Sequence, residues 1–529
     1  MGAREVDAAS GGTLQRRFVE AAREHGARPA LVVRDVTFTY AELEATARRW
    51  AGVLIARLGR PPTRVGVFGF RSATAYVGVL AAQLAGATFV PLNPRFPPAR
   101  TRRMAEKAGL DAIIVDKLGS TQLAAALEGL EPRPILLLPD GEDAELTRAA
   151  APLEDLPPID MADVAYLLFT SGSTGEPKGV PITHANVRAY LDFCQARYGF
   201  GASDRFSQTF DQTFDLSVHD QFLCWEAGAC LFAMSPADLL APTRFINTYQ
   251  LTVWFSVPSV VAQMRKRGTL KPASLPTLRW SLFCGEPLPR ASAEGWLAAA
   301  PSSTVENLYG PTELTIACSV HRWDPERSPP KCVNDMVSIG APFPGLRAIV
   351  VDDALALARE GEPGELCVAG PQTSPGYWHD ATKTAERFVE MHGARFYRTG
   401  DRVVPLPDGE YACLGRVDHQ VKVLGFRVEL GEIESVLQRD ARVVQAVALG
   451  WPVVEGSAQG IVAFVCGICG ALGGAERFVE HGCTRRGEMR PKVVEVGQHG
   501  GEHVVEVVRH PRRQVPHGFA ALRQLEPCC

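Results

Sequence analysis

"LLFTSGSTGEPKGV", residues 167–180, places six small residues, Thr170 through Gly175, after three apolar ones, with Lys178 close behind. The small run has almost no side-chain bulk. It offers hydroxyls and closely spaced backbone N–H groups, and the lysine adds a positive charge. Such a loop, leaving a buried strand, suits a polyanion such as the phosphate chain of a nucleotide. It is not the GxxxxGK[ST] loop. Counted from Gly172, the second glycine position holds Pro177, and Gly179 follows the lysine. On composition alone the run fits a flexible turn equally well.

Outward from the loop, apolar strand patterns alternate with helical ones. Residues 38–59 have helical spacing, with Leu43, Ala47, Trp50, Leu54 and Leu58 on one face and Thr39 and Glu42 spaced as a capping box. "RVGVFGF" (64–70) and "DAIIVD" (111–116) read as buried strands, and the segment between them as a helix running into a strand. The alternation continues through 134–139, 164–170, 251–257 and 278–285, which predicts α/β layers around parallel sheet. Beyond about residue 340 the pattern changes to short strands and turns, and helical signal returns at "ELGEIESVLQRD" (429–440).

The 529 residues exceed one ordinary domain, and a content of 46% hydrophobic and 22% charged residues is a normal globular mix. A net charge of −4 argues against a nucleic-acid partner. No apolar run approaches the roughly 20 residues of a membrane span, and the polar "MGAREVDAASGG" start does not read as a signal peptide. Most of the thirteen cysteines stand singly in apolar runs, as reduced thiols of a cytoplasmic protein do.

Four further stretches follow the loop in order: "NLYGPTE" (307–313), "GEPGELCVAGPQTSPGYWHD" (361–380), "YRTGDRV" (397–403) and "GRVDHQVKVLGFRVELGEIES" (415–435). Each alone fits an ordinary loop with a satisfied carboxylate. Together, in this order, they resemble the adenylate-forming superfamily, which includes amino-acid adenylation domains, acyl-CoA synthetases and luciferases. The resemblance implies a large N-terminal domain, residues 1–416, of doubly wound α/β subdomains plus a small distorted β-barrel. A small mobile α+β C-terminal domain, 417–529, would follow. It also implies ATP and Mg²⁺ as ligands. Thr170, Ser171, Gly172, Ser173, Thr174 and Gly175 would hold phosphates, Gly285, Glu286 and Gly310 would also bind ATP, and Tyr309 would stack on the adenine with Asn307 at its edge. Asp401 and Arg416 would hold the ribose, Lys178, Thr312 and Glu313 would be catalytic, Glu313 would ligate the metal, and Asp418 would be the hinge. A carboxylate and ATP repel each other, so such a site must align them at the α-phosphorus and neutralise the charge that develops there.

"FDQTFDLSVHDQF" (210–222) resembles the acyl-pocket core of the amino-acid-activating members, where an aspartate at the Asp215 position pairs with the substrate ammonium. A buried, unpaired aspartate would cost several kcal/mol, so a cationic partner is implied. The alternative is an aspartate that caps a helix starting at Leu216. The resemblance places Phe214, Leu216, His219, Phe255, Leu282, Cys284, Leu308, Ile316 and Ala317 around the substrate. "FDLSVHD", "LFCGEPLP" and the 415–434 stretch are most like D-alanine–D-alanyl carrier protein ligases and stand-alone adenylation domains. A small aliphatic or hydroxylated amino acid follows, with a carrier protein's phosphopantetheine thiol as acceptor. His219 either packs as a neutral ring or hydrogen-bonds a substrate side chain. The rivals are an acyl-CoA synthetase for another carboxylic acid and a catalytically impaired protein of the same fold.

The resemblance holds to about residue 466. The family's closing P-x-x-x-x-G-K loop has no counterpart, and Lys492, in "EMRPKVVEV", is the only lysine after Lys422. The tail holds five of the thirteen cysteines and five of the twelve histidines. That composition fits a shifted reading frame of a GC-rich gene. A rival reading makes Cys466, Cys469, His481 and Cys483 a zinc site, although their spacing matches no standard ligand pattern.

Overall fold

The computed structural model describes residues 12–494 except 171–175, 360, 418–419, 424–425, 441–442, 455–456, 459, 468–477 and 484–488. The small-residue loop, the Asp418 hinge and Cys469 therefore lie outside the described residues. So do the side chains of Cys466, His481, Cys483 and Lys492.

Two α/β sheets form the large N-terminal part. In the first, strands run in the order Ile135–Leu137, Ala112–Val115, Arg64–Phe68, Thr88–Leu92, Val164–Thr170, Lys178–Thr183. All of its pairs are parallel except the last, a hairpin whose register sets Thr170 opposite Lys178. The second sheet has nine strands. Its parallel centre is Thr304–Tyr309, Trp280–Phe283, Val253–Ser256, Arg205–Gln208, Cys230–Ala233 and Pro29–Val33, with antiparallel strands at both edges.

The helix Tyr40–Leu58 starts where its capping box predicts. The Thr39 side chain accepts from the Glu42 N–H, the Glu42 carboxylate takes the Thr39 N–H, and Gly59 closes the helix at φ 70°. The helix Ala73–Leu84 has no polar face, and every residue from Thr74 to Leu84 is buried. This is the expected fate of a helix that is apolar all round. Its one large polar side chain, Gln83, gives its amide protons to the carbonyls of Ala87 and Ala165.

A five-stranded antiparallel sheet follows, built from Arg347–Val351, Gly364–Ala369, Phe388–Met391, Ala394–Pro405 and Tyr411–Arg416. It is the half-barrel of the fold. One apolar core runs from Phe18 and Trp50 through Tyr166 and Phe255 into Tyr397 of this sheet, so these layers share an interior. After Arg416 the strands belong to separate small sheets, of which Phe426–Glu429, Val443–Gly450 and Ile461–Gly467 contact the helix Leu430–Leu437. The architecture is the mixed α/β fold predicted from the sequence.

Candidate functional site

Some of the candidate residues lie at the carboxyl ends of parallel strands, where open α/β sheets bind ligands. Thr170 ends one strand, and Cys284, Gly285 and Glu286 follow another. Asn307, Leu308 and Tyr309 end a third. Two glycines are required by geometry. Gly285 sits at φ 90°, and a Cβ on Gly310 would lie 2.5 Å from the Ala317 Cα. The Thr170 hydroxyl and Oε1 of Glu286 are buried with no hydrogen-bond partner among the described residues, whereas Oε2 of Glu286 accepts from the Ser259 N–H at 2.8 Å.

Asp215 stands at the start of the helix Leu216–Glu226, but its side chain does not cap that helix. Its Oδ2 accepts from the Ile316 N–H at 3.1 Å, and the Thr312 hydroxyl also bonds it. Burial pushes its carboxyl up to about 6, against the pull of those two donors, and nearby Glu313 pushes the same way as burial. The capping alternative is thereby excluded.

The Ile316 N–H reaches Asp215 because the chain bends sharply. Thr315 and Ile316 sit at φ 58° and 72°, a left-handed conformation that β-branched residues rarely adopt. Gln372 holds the bend: its side-chain amide donates to the carbonyls of Ala317 (2.7 Å) and Leu314 (3.2 Å), and its backbone carbonyl accepts from the Thr315 hydroxyl (2.6 Å).

Around Asp215 the pocket candidates pack closely. Leu216, Phe255, Leu282, Cys284, Leu308, Ile316 and Ala317 are buried members of the main core, and Phe214 is half-buried beside them. Phe255 and Leu282 are direct partners on adjacent strands. His219 is wholly buried, which drives its imidazole down to about 3, so the ring is neutral. The Cys284 thiol is pushed up to about 12 by burial, with Lys422 opposing.

Glu313 lies buried in the turn Thr312–Leu314, and its Oε1 accepts the Tyr377 hydroxyl at 2.9 Å. The same tyrosine ring underlies the Lys178 ammonium at 5.2 Å, and Lys178 reaches Glu429 at 3.9 Å. On the other side, Asp401 takes the Tyr309 hydroxyl and the Arg416 guanidinium, the latter at 2.9 Å. The Asn307 amide donates to the Ser338 carbonyl at 2.8 Å. Glu365 fixes the Asp401 turn through Arg398 and the Gly400 N–H.

Sequence reading missed Tyr377, Gln372 and Glu365. Only Glu365 carried a local signal, an acid inside the apolar strand Gly364–Ala369.

The fold is that of adenylation domains. Residues 18–378 match the family of AMP-binding enzymes, and the chain belongs to that family. It is 33% identical to the L-proline–[L-prolyl-carrier protein] ligase of Streptomyces coelicolor, over 95% of this chain and 91% of that one. It is 34% identical to the phosphinothricin tripeptide synthetase PhsC of Streptomyces viridochromogenes, over 83% of this chain, and spans 39% of that protein's length. The solved Vibrio cholerae adenylation domain AlmE, in complex with glycyl-adenosine-5'-phosphate, superposes with a TM-score of 0.78 at 33% identity. The match covers 88% of this chain and 90% of AlmE. These relatives place the chain among adenylation domains and amino-acid carrier-protein ligases. No helix among the described residues is long and apolar enough to cross a membrane.

Proposed function

We propose that the chain joins a small amino acid to AMP and then passes the aminoacyl group to the phosphopantetheine thiol of a carrier protein. In the first step a carboxylate oxygen of the amino acid attacks the α-phosphorus of ATP, and pyrophosphate leaves. In the second, the thiol sulfur attacks the acyl carbon, gives up its proton, and AMP leaves.

One observation carries this reading: a buried carboxylate, Asp215, set against an apolar wall and held by a backbone N–H and the Thr312 hydroxyl, with no ion pair to a protein cation among the described residues. An ammonium group is the partner that compensates it. A fatty or aryl acid would leave it uncompensated. The Ile316 and Thr312 donors keep Asp215 ionised enough to accept that ammonium and orient its oxygens.

Lys178 and the backbone donors of 171–175 carry the phosphate-binding role in this reading, and Tyr309, Asp401 and Arg416 the nucleoside. The unpartnered Thr170 hydroxyl and Glu286 Oε1 suit such a polar ligand. Magnesium fits Glu313, a buried oxygen donor. Among the described residues no three His, Cys, Asp or Glu side chains are grouped to hold a metal, so phosphate and water would complete its shell. When bound it supplies charge neutralisation at the phosphates. The eight cysteines whose side chains are described are free thiols, which supports a cytoplasmic setting.

The test is amino-acid-dependent ATP–pyrophosphate exchange on the full chain, with both enantiomers of alanine and serine, glycine, proline and a fatty acid. Exchange with one small amino acid is the expected result. Exchange with the fatty acid alone would move the chain to the acyl-CoA synthetases. ATP binding without exchange would mark a protein that cannot complete its first step.

A further inference from the structure

His321 stands on the antiparallel strand Ser319–Arg322, directly opposite Asn307 and so beside the strand that ends at Tyr309. The ring is buried and both of its nitrogens are bonded. Nδ1 lies 2.7 Å from Oε2 of Glu410, and Nε2 lies 2.7 Å from the Ser328 hydroxyl. The order serine, histidine, acid is that of a hydrolase triad. Here the row is closed to any substrate, because Ser328 is buried and its Oγ already accepts the Asp324 N–H at 2.8 Å. What the row fixes instead is a proton. The Arg322 carbonyl, at 3.5 Å, is the weaker acceptor for the Ser328 hydroxyl, so its hydrogen points to Nε2. The ring proton is then on Nδ1 and is donated to Glu410. A protonated ring would give Glu410 the same N–H, so this bond holds in either charge state.

Glu410 belongs to a different layer, the half-barrel. It sits in the turn that joins Ala394–Pro405 to Tyr411–Arg416, where Pro405 lies opposite Tyr411 and Asp401 opposite Arg416. The acid is thus at one end of the hairpin. About four residues along the ladder, roughly 13 Å away, stand the two side chains given the nucleoside role above. Glu410 also takes the Lys331 ammonium at 2.9 Å, and the Tyr411 carbonyl accepts the Ser338 hydroxyl and the Ile339 N–H, each at 2.9 Å. At the other end the Tyr309 hydroxyl bonds Asp401. Burial pushes the Glu410 carboxyl up, but the bonds from His321 and Lys331 outweigh it and bring the group down to about 2, so the acceptor stays ionised.

We propose that His321 and Glu410 are positioning residues for the nucleotide: their bond pins the hairpin that carries Asp401 and Arg416 to the sheet that carries Tyr309. The inference rests on the nucleotide reading given above. Both residues act from the far end of the hairpin. With the bond cut, the turn keeps its backbone contacts and Lys331, but Asp401 and Arg416 lose their fixed placement against Tyr309. The cost falls on the nucleoside. Asp215 is held by Ile316 and Thr312, and the phosphate role belongs to Lys178 and the 171–175 backbone, all outside this hairpin.

Calorimetry on the full chain with AMP and, separately, with magnesium pyrophosphate tests this without turnover. His321→Ala should weaken AMP about tenfold and leave pyrophosphate unchanged. His321→Asn, whose amide nitrogen stands near the place of Nδ1 and can still donate to Glu410, should restore most of the AMP affinity. Glu410→Ala changes a half-buried turn residue and should give the same loss, which keeps the test open if His321→Ala does not fold. The double variant should lose no more than either single one, because both remove one bond. An AMP affinity untouched by the single variants, an equal loss for pyrophosphate, or losses that add in the double variant overturns the proposal. AMP binding to the wild type with no effect of the variants would sink this inference and leave the nucleotide reading standing. A wild type that binds pyrophosphate but no AMP would sink both.

Discussion

The backbone N–H of Ile316 donates to Oδ2 of Asp215 across 3.1 Å, joining residues 101 apart in sequence. That bond, and not a helix cap, holds the carboxylate. Among the described residues no cation forms an ion pair with the carboxylate, yet it is not left unbonded. It is buried, oriented and short of one positive charge.

The first prediction concerns pH. With its carboxyl raised to about 6 by burial, Asp215 takes a proton as pH falls below that value and can no longer pair with an ammonium. For amino-acid-dependent exchange, kcat/KM for the amino acid should fall about tenfold per pH unit below 6 while the KM for ATP stays level. Asp215→Asn should lower kcat/KM about a hundredfold or more and flatten that limb. A limb that persists in the variant would assign the titration to another group.

Gln372 should matter to the amino acid more than to the nucleotide. Left-handed Thr315 and Ile316 each store about 1–3 kcal/mol of strain, and the Gln372 amide bonds the carbonyls on both sides of them. Gln372→Ala should lower stability by about 1–3 kcal/mol and raise the KM for the amino acid several-fold. Steady-state kinetics with each substrate varied in turn would show the split.

The same bend shows what the sequence concealed. Helix starts and parallel strands were readable because their signals are local, as with Thr39 and Glu42, which cap within one turn, whereas the half-barrel was expected from the motif resemblance. The segment 73–84 could be read as helical, but not as buried on every side, since that depends on both α/β layers. Thr315 and Ile316 are β-branched, so local propensity argues against the conformation they adopt. Tyr377 and Tyr190 declare themselves only through partners, Glu313 and His219, on other elements. Motif resemblance supplied most of the candidate site, and distance in sequence hid the residues that brace it.

Tyr377 links the two charged candidates of the phosphate side. Its hydroxyl holds Glu313 and its ring lies under Lys178, so Tyr377→Phe removes the first contact and keeps the second. Loss of a hydrogen bond to a carboxylate costs about 1.5–3 kcal/mol. The variant should need roughly tenfold more Mg²⁺ for half-maximal exchange, with the KM for the amino acid little changed. A magnesium titration at fixed ATP checks this, and an unchanged requirement would separate Glu313 from the metal.

The last prediction is a stability effect with a defined sign. His184 begins the helix His184–Tyr198, is buried, and its Nδ1 accepts from the Leu14 N–H at 3.3 Å. Burial lowers its imidazole from the ordinary 6.5 to about 4, with Asp163 pulling slightly the other way. Between these values the unfolded chain binds a proton that the folded chain refuses. Its contribution to stability is therefore complete above about pH 6.5 and is lost toward pH 4, at about 1.4 kcal/mol per pH unit. Other buried groups, Asp215 among them, titrate with the opposite sign, so the whole-protein slope does not isolate this one. The difference between wild type and His184→Gln does. In urea unfolding at pH 7, 6 and 5, the wild-type advantage over the variant should shrink steadily with acid. An advantage that grew with acid would mean His184 is protonated in the folded state and gains a partner there.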